Sequence, residues 1–270
     1  MSNICPTFVQ PYTNLKHAEQ AAGRGSATAR RARRNTTHCP RVSCGVSSFS
    51  RRILVTVHGE AAQLVLSSSL AMSLLAARVL WTGERDYGFL VWNLFLAWVP
   101  YAGTLALREL HERRVRSLSL VPFFLVWLGF LPNAPYLVTD FIHLRFREGA
   151  PVWFDAVMLA SFAWAGVGLG AASLRGGARI VRARGGAWAA MAFVPIVALA
   201  TGFGIYLGRF VRLNTWDVAT KPGTVLVQVL SPLVHPFGHA RAWTVTLTFG
   251  LFFVVAYVAS GRARTIARPR

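Results

Sequence analysis

Apolar residues in this chain form blocks about twenty residues long, separated by polar segments. A block of that length matches an α-helix that crosses the hydrocarbon core of a lipid bilayer, which is about 30 Å thick. The blocks lie near residues 62–80, 88–107, 117–138, 152–174, 187–208 and 242–260. The pattern therefore predicts an all-α fold, a polytopic transmembrane helical bundle of about six spans.

The composition agrees with a membrane protein. Hydrophobic residues make up 54% of the 270 positions and charged residues only 14%, whereas soluble domains carry about 25% charged residues. The first block is the weakest, because it contains Gln63 and several serines. Short loops join the blocks, except for the long segments 132–151 and 209–241.

The distribution of positive charge predicts the orientation of the bundle. The formal net charge is +19, and most basic residues fall in the N-terminal segment, in 108–116, in 175–184 and in the C-terminal tail. Because cytoplasmic loops are enriched in lysine and arginine, both termini are predicted to be cytoplasmic and both long loops to face outward. We expect the charge to attract anionic membrane lipid, and its distribution argues against a nucleic-acid partner.

Residues 1–50 differ from the rest of the chain. They hold all three cysteines (Cys5, Cys39 and Cys44), the cluster "ARRARR" and no apolar period. This composition is typical of a disordered basic arm, followed by an integral membrane domain over residues 53–261. The break in composition near residue 50 also fits a second explanation. The true start codon would lie downstream, and residues 1–50 would not belong to the native protein. With cysteines only in the arm, no disulfide framework is predicted.

Two glycine pairs lie in the fourth and fifth blocks. Gly166 and Gly170 occur in "GVGLG", and Gly204 and Gly208 occur in "GIYLG". Small residues at this spacing allow two helix backbones to approach closely. We therefore expect the fourth and fifth spans to pack against each other.

The end of the third block has unusual chemistry. In "LPNAPYLVTDFIHLRF", Pro132 and Pro135 follow a continuous apolar run. Proline removes a backbone donor and disfavours helix at the preceding residue. A broken helix at membrane depth persists only where it is buried in protein or lines a wet cavity, and such breaks form binding sites in transporters. The alternative is that the prolines simply end the helix at the interface.

Polar and ionisable residues cluster on the predicted outer side of the bundle. The candidate polar site consists of Asn133, Tyr136, Asp140, His143, Asp155, Arg209, Arg212, Asn214 and Asp217. Ionisable residues at membrane depth are costly and indicate function. Structural explanations also exist: Asn214 and Asp217 have the spacing of a helix cap, and Asp140 could pair with Arg145 or Arg209. Clustering on one side favours the functional interpretation.

Two polar residues near this cluster have their own structural explanations. Asp155 opens the fourth span, where a carboxylate interacts favourably with the helix macrodipole. Asn93 lies in the middle of the second span and needs a hydrogen-bond partner on another helix. Such an asparagine more often joins helices than binds a ligand.

A metal site is an alternative use of part of the cluster. Asp140, His143, His235 and His239 offer oxygen and nitrogen ligands of the kind that zinc prefers. The histidines of "HPFGH" are separated by proline and glycine, however, so a regular helical spacing is not expected. We therefore predict no metal, and the sequence identifies no cofactor and no catalytic motif.

Four stretches of the chain resemble the DUF1361 family of uncharacterised bacterial integral membrane proteins. They are "WNLFLAWVPY" (92–101), "LPNAPYLVTDFIHL" (131–144), "WFDAVMLASFAWAGVGLG" (153–170) and "GFGIYLGRFVRLNTWD" (202–217). The resemblance covers residues 88–260. It implies a multi-pass protein of the bacterial cytoplasmic (inner) membrane with undefined biochemical function, and it carries over no catalytic or binding residues.

Three functions fit these observations. A small transporter-like or ligand-binding membrane protein is favoured, because the third span is broken beside the polar cluster. The first alternative is a membrane-embedded enzyme that acts on a lipid-linked or envelope substrate, since carboxylates can act as bases and arginines can bind phosphate. The second is an accessory or assembly protein with an unidentified protein partner.

The predicted orientation can be tested by thiol labelling of whole cells with an impermeant maleimide. In a background with the three native cysteines replaced, single cysteines are placed at Leu144, Asn214 and Gly177. We expect the first two to react and the third to remain unlabelled, because the first two lie in outer loops and the third in a basic inner segment. An inverted pattern would place the polar cluster in the cytoplasm.

Overall fold

The computed structural model describes residues 44–146, 149–213 and 220–266. The chain divides into the units Met1–Arg52 and Ile53–Arg270, and the packed helical bundle belongs to the second. The α-helices in the described residues are α1 (Cys44–Thr82), α2 (Phe89–Glu112), α3 (Ser117–Phe130), α4 (Asn133–Tyr136), α5 (Val152–Tyr206), α6 (Pro222–Val234) and α7 (Ala240–Ile266). Tighter or wider helical turns occupy Leu137–His143 (3-10), Leu207–Val211 (π) and Pro236–His239 (3-10).

The predicted basic arm, residues 1–50, lies mostly outside the described residues. Its disorder and its possible origin in a mis-assigned start codon therefore stay predictions. The first described helix, α1, begins at Cys44, well before the start predicted for the first span.

The helices form the bundle of a multi-pass membrane protein. Five described segments are long and apolar enough to cross a bilayer: Gly59–Thr82, Phe89–Glu112, Leu118–His143, Val152–Val211 and Pro236–Gly261. In the most apolar stretch of each segment, only 22% to 39% of the residues are buried inside the protein. Most of the apolar surface therefore points away from the bundle, as expected where lipid replaces water as the solvent.

The fourth of these segments contains two of the predicted spans. Val152–Val211 is 60 residues long and is divided at Gly186, whose φ of 82° lies outside the helical region. The chain turns back there, since a Cβ atom at Gly177 would lie 3.3 Å from the ring of Phe193. Leu174 and Val194 share one core cluster. The fourth and fifth spans thus pack against each other next to the bend, as predicted.

The glycine pair of the fourth span contacts α4 rather than the fifth span. A Cβ atom at Gly166 would overlap the carbonyl oxygen of Ala134. One at Gly170 would lie 3.2 Å from the Ala134 side chain and 3.0 Å from the ring of Phe253. The backbone of α5 therefore approaches α4 so closely that a side chain at Gly166 would have no room.

The glycine pair of the fifth span faces the same short segment. A Cβ atom at Gly204 would overlap the ring of Pro132, and one at Gly208 would lie 3.6 Å from the ring of Tyr136. The expectation that the two glycine pairs join the fourth and fifth spans is therefore wrong. Both glycine faces are occupied by residues 132–137 of the broken third span.

The third span is interrupted where the prolines predicted a break. Regular helix ends at Phe130, α4 supplies a single turn, and Leu137–His143 continues as 3-10 helix. Ala134 and Leu137 are fully buried in the core formed with α1, α2 and α5. The break is thus enclosed by protein, which is the condition under which irregular backbone survives at membrane depth.

The long segment 209–241 is not a simple loop. It contains the thirteen-residue helix α6, which the sequence analysis did not predict because the apolar stretch is too short to span a bilayer. Residues 214–219, which include Asn214 and Asp217, lie outside the described residues.

The packing shows that Gly177 is a poor position for a cysteine in the thiol-labelling experiment. Gly177 is buried against Trp127 and Phe193, so a cysteine there would escape labelling on either side of the membrane. Ala183 is exposed beside the bend and reports the inner side without this ambiguity.

The close approach of α5 to α4 predicts which glycines tolerate a methyl group. Gly166→Ala and Gly204→Ala should each lower the stability of the purified protein by about 1–3 kcal/mol, because the added carbon has no room. Gly208→Ala is the matched control, since its Cβ would meet Tyr136 at the ordinary distance of 3.6 Å. Thermal unfolding in mild detergent measures the effect. Equal midpoints for all three variants would show that the glycine faces are not close-packed.

Candidate functional site

One end of the bundle holds a fully buried ion pair between α1 and α5. The Nε atom of Arg78 donates to Oδ1 of Asp155 at 2.7 Å, and the two side chains are 0% and 1% exposed. A second contact joins Nη2 of Arg78 to Oδ2 of Asp155 at 3.5 Å. Asp155 is therefore the counter-ion of a membrane-embedded arginine, a more specific role than an interaction with the helix macrodipole.

Tyr87 closes this ion pair from the loop side. The guanidinium carbon of Arg78 lies 4.6 Å from the centre of the Tyr87 ring, a cation–π distance. Burial, and then the negative charge of Asp155, raise the pKa of Tyr87 to about 12. The phenol thus stays protonated, and its O–H donates to the backbone oxygen of His143 at 3.2 Å.

A second buried carboxylate, Asp140, lies in the 3-10 segment of the third span. Asn93 of α2 donates to Oδ2 of Asp140 at 3.0 Å. This is the interhelical partner that an asparagine in the middle of a span requires. Arg209 approaches the other oxygen, Oδ1, through Nη1 at 3.4 Å. Of the two pairings proposed from the sequence for Asp140, the one with Arg209 is observed.

Arg209 is held mainly by groups other than Asp140. Its Nη2 donates to the backbone oxygen of Thr139 at 2.9 Å, and its Nη1 contacts the hydroxyl oxygen of Tyr136 at 3.2 Å. The guanidinium carbon lies 5.4 Å from the centre of the Tyr136 ring. The contact to Asp140 is therefore the longest of its polar contacts described here.

Irregular backbone positions both members of this second pair. Asp140 sits on the 3-10 segment that follows the helix break, and Arg209 sits on the π-helical segment that ends the fifth span. Arg212 follows directly with φ at +61°, a left-handed conformation that is uncommon for a residue other than glycine. π-helical turns inside helices occur frequently at functional sites.

The two ion pairs differ in access to solvent. Arg78 and Asp155 are both closed off, whereas the Arg209 side chain is 16% exposed while Asp140 is fully buried. A solute that reaches this end of the bundle can therefore contact the side chain of Arg209 but not that of Arg78. The Arg78 pair joins α1 to α5 and is closed to solutes, whereas the Arg209 pair is open on one side and is the better candidate for a binding site.

Of the remaining predicted site residues, two contact other protein groups, one is exposed and two lie outside the described residues. Asn133 donates to the backbone oxygen of Phe130 at 3.0 Å, which caps the end of α3. The ring of His143 packs on Phe89 with centroids 4.8 Å apart. Arg212 is exposed. Asn214 and Asp217 lie outside the described residues.

The four residues of the metal hypothesis are not brought together. Nε2 of His239 lies 2.9 Å from the hydroxyl of Ser231, and His235 is exposed at the end of α6. Among the described residues, no three histidine, cysteine or carboxylate side chains form a group that could hold a metal ion. Asp140 and His143 therefore take part in other contacts.

A buried polar network elsewhere in the bundle was not predicted from the sequence. Nε1 of Trp127 donates to the hydroxyl oxygens of Thr104 and Ser173 at 2.8 Å and 2.9 Å. Ser173 in turn donates to the carbonyl oxygen of Pro100 at 2.9 Å. Each polar atom in this network has a partner, and it joins α2, α3 and α5.

A charged cluster holds the opposite end of the bundle. Glu60 of α1 lies 3.9 Å from Nε of Arg175 and 3.6 Å from Nη2 of Arg179. Nη1 of Arg175 also donates to Ser260 of α7. Glu60 and Arg175 are buried, so this cluster ties three helices together.

Two surface cavities lie on the flanks of the bundle and away from the Arg209 pair. One separates α2 from α3 and is lined by apolar side chains that include Val99, Phe123 and Trp127. The other separates α1 from α2 beside Ser68 and Trp98. Neither cavity is lined by Arg209 or Asp140.

The buried Arg78 pair should respond to substitution in a characteristic way. Asp155→Leu alone leaves the buried Arg78 with only the more distant carboxylate of Glu84, 3.8 Å from Nη2, and should cost about 3–5 kcal/mol, whereas Arg78→Met combined with Asp155→Leu should recover most of that loss. The change is measured by unfolding the purified protein in mild detergent with increasing dodecyl sulfate.

A surface pair serves as the control for this experiment. Arg113 and Glu109 are 71% and 58% exposed, and Glu109→Ala should cost less than about 1 kcal/mol. If Asp155→Leu costs no more than this control, the buried pair is not a stabilising contact.

Comparison with known proteins identifies the family of the chain. The sequence model of the family described as "Protein of unknown function (DUF1361)" matches residues 92–256. No curated protein and no solved structure matches the chain. The matched range contains Asn93, Asp140, Asp155 and Arg209 but not Arg78. The match covers more than half of the sequence, and the chain belongs to the DUF1361 family.

Proposed function

We propose that this protein is a ligand-binding, transporter-like membrane protein and that its site is the Arg209–Asp140 pair. The ligand carries an anionic group, a carboxylate or a phosphate, that binds the guanidinium of Arg209 in place of the Asp140 carboxylate. The observation that carries this proposal is the partial exposure of Arg209 beside a fully buried and loosely paired Asp140.

The geometry of Arg209 supports an exchange of counter-ions. Thr139 and Tyr136 hold the guanidinium in place through contacts of 2.9 Å and 3.2 Å, so the side chain stays oriented when its ionic partner changes. Asp140 retains the hydrogen bond from Asn93. A guanidinium presents several donors in one plane and suits carboxylate and phosphate groups.

The broken third span supports a site at this position. Transporters place ligands where helices are discontinuous, because the freed backbone and helix ends supply polar groups. Here the break after Phe130 and the π-helical end of the fifth span contribute Asp140 and Arg209 respectively. Two independent departures from regular helix therefore converge on one ion pair.

Charge at the opposite end supports the orientation of the site. Nε of Arg184 donates to Nδ1 of His111 at 2.8 Å, and its Nη2 donates to the backbone oxygen of Val115 at 3.1 Å. The basic segments 108–116 and 175–184 therefore meet at one end. Following the rule that basic loops stay inside, we place that end in the cytoplasm of a bacterial cell and the Arg209 site on the outer face of its cytoplasmic membrane.

Anion titration of purified variants tests the site. Inorganic phosphate and acetate, added separately to protein in mild detergent, should raise the thermal unfolding midpoint for at least one anion, because a ligand that binds only the folded state stabilises it. Arg209→Gln should abolish the rise. Asp140→Asn should strengthen it, because the competing carboxylate has been removed.

The direction of the Asp140→Asn effect separates binding from structure. A purely structural Asp140 would give a less stable protein with no gain in anion response. Arg113→Gln is the control, since this exposed arginine pairs with Glu109 on the same helix surface, and it should behave as the unmodified protein. Absence of a response to either anion, or an unchanged response in Arg209→Gln, would contradict the proposal.

A further inference from the structure

Helix α6 has three different faces around its circumference. With about 100° between successive residues, the apolar side chains Leu226, Val227, Leu230, Leu233 and Val234 share one face, and all five are exposed. Their spacing is that of an amphipathic helix. In this case, however, the apolar stripe points away from the protein rather than into it.

The other two surfaces of α6 have different surroundings. Val225, Val229 and Pro232 follow one another at helical spacing and are partly or fully buried, so this face lies against the protein. Thr224, Gln228 and Ser231 form a polar stripe between the buried face and the exposed apolar one. One helix therefore carries a buried face, a polar stripe and an exposed apolar stripe.

The length of α6 excludes a transmembrane orientation. Its thirteen residues extend about 20 Å, whereas the hydrocarbon core is about 30 Å thick. The helix also lies between two consecutive spans, Val152–Val211 and Pro236–Gly261. Both of its ends therefore belong to the same side of the membrane.

Specific contacts fasten α6 to the start of the last span. Nε1 of Trp243 donates to the backbone oxygen of Pro232 at 3.1 Å, and the hydroxyl of Ser231 lies 2.9 Å from Nε2 of His239. Phe237, between the two helices, is fully exposed. Leu247 and Leu251 of α7, which follow it in the chain, are exposed as well.

We propose that α6 lies in the plane of the membrane surface, with its exposed apolar stripe inserted among the acyl chains just below the lipid headgroups. The occupant of this face is the lipid layer, because α6 is held to the start of a membrane-spanning helix whose own apolar side chains are exposed. The polar stripe faces water. Lys221 and Arg241, which are exposed near the two ends of the helix, lie where they can contact lipid phosphates.

Spin labelling in vesicles tests this assignment independently of any ligand. Single cysteines in a cysteine-free background carry a nitroxide at Leu226, Leu230 or Leu233 on the stripe, and at Thr224 or Gln228 on the polar face. The protein is reconstituted into phosphatidylethanolamine–phosphatidylglycerol vesicles. Power saturation then compares collision with apolar oxygen and with a water-soluble nickel chelate.

The expected result is a reversal of access between the two faces. Stripe positions should favour oxygen over nickel, and polar-face positions should favour nickel over oxygen. Nickel access on both faces would place α6 in water. Low access to both reagents on the stripe, with spin–spin broadening, would show that a second copy of the chain covers it. Either result overturns the proposal.

A charge substitution adds a second measurement on the same helix. Leu230→Asp should shift the label at Leu226 toward nickel access, because a buried carboxylate withdraws the stripe from the acyl chains. Thr224→Asp, on the polar face, should leave that label unchanged. Equal effects of the two substitutions would count against a lipid-facing stripe.

Discussion

The contact on which the rest of this structure depends is the packing of residues 132–137 against the glycine faces of α5. Irregular backbone in a membrane needs protein around it, since lipid offers no hydrogen bonds to exposed peptide groups. Glycines on both halves of α5 supply the space, and Ala134 and Leu137 are fully buried there. The position of Asp140, only a few residues beyond, follows from this packing.

Buried charge is distributed between two kinds of contact. The Arg78–Asp155 pair is sealed and bidentate, so it fixes the first span relative to the fourth. The Arg209–Asp140 pair is longer and open on one side. In a medium of low dielectric constant the first arrangement favours a fixed structure, whereas the second leaves an arginine whose partner can be exchanged.

Much of this organisation could be read from the sequence, and the failures have physical reasons. Length and hydropathy predicted the spans, and the prolines predicted the break at Phe130. Of the 29 lysines and arginines, all but one lie outside the six apolar blocks predicted from the sequence. The exception is Arg78, and a lone arginine inside a predicted span indicates a buried partner. The partners of the glycine pairs could not be predicted, because a small-residue spacing shows that something packs closely but not what.

The Arg78–Asp155 pair also constrains how the chain is made. Its two members are separated by 77 positions, so the first span enters the bilayer long before its counter-ion is synthesised. Until the ribosome has produced the start of α5, the arginine must remain near the headgroups, where a long side chain can reach water. The contact between the first and fourth spans at Arg78 and Asp155 therefore forms only after the start of α5 has been synthesised, which makes it a late step in the assembly of the bundle.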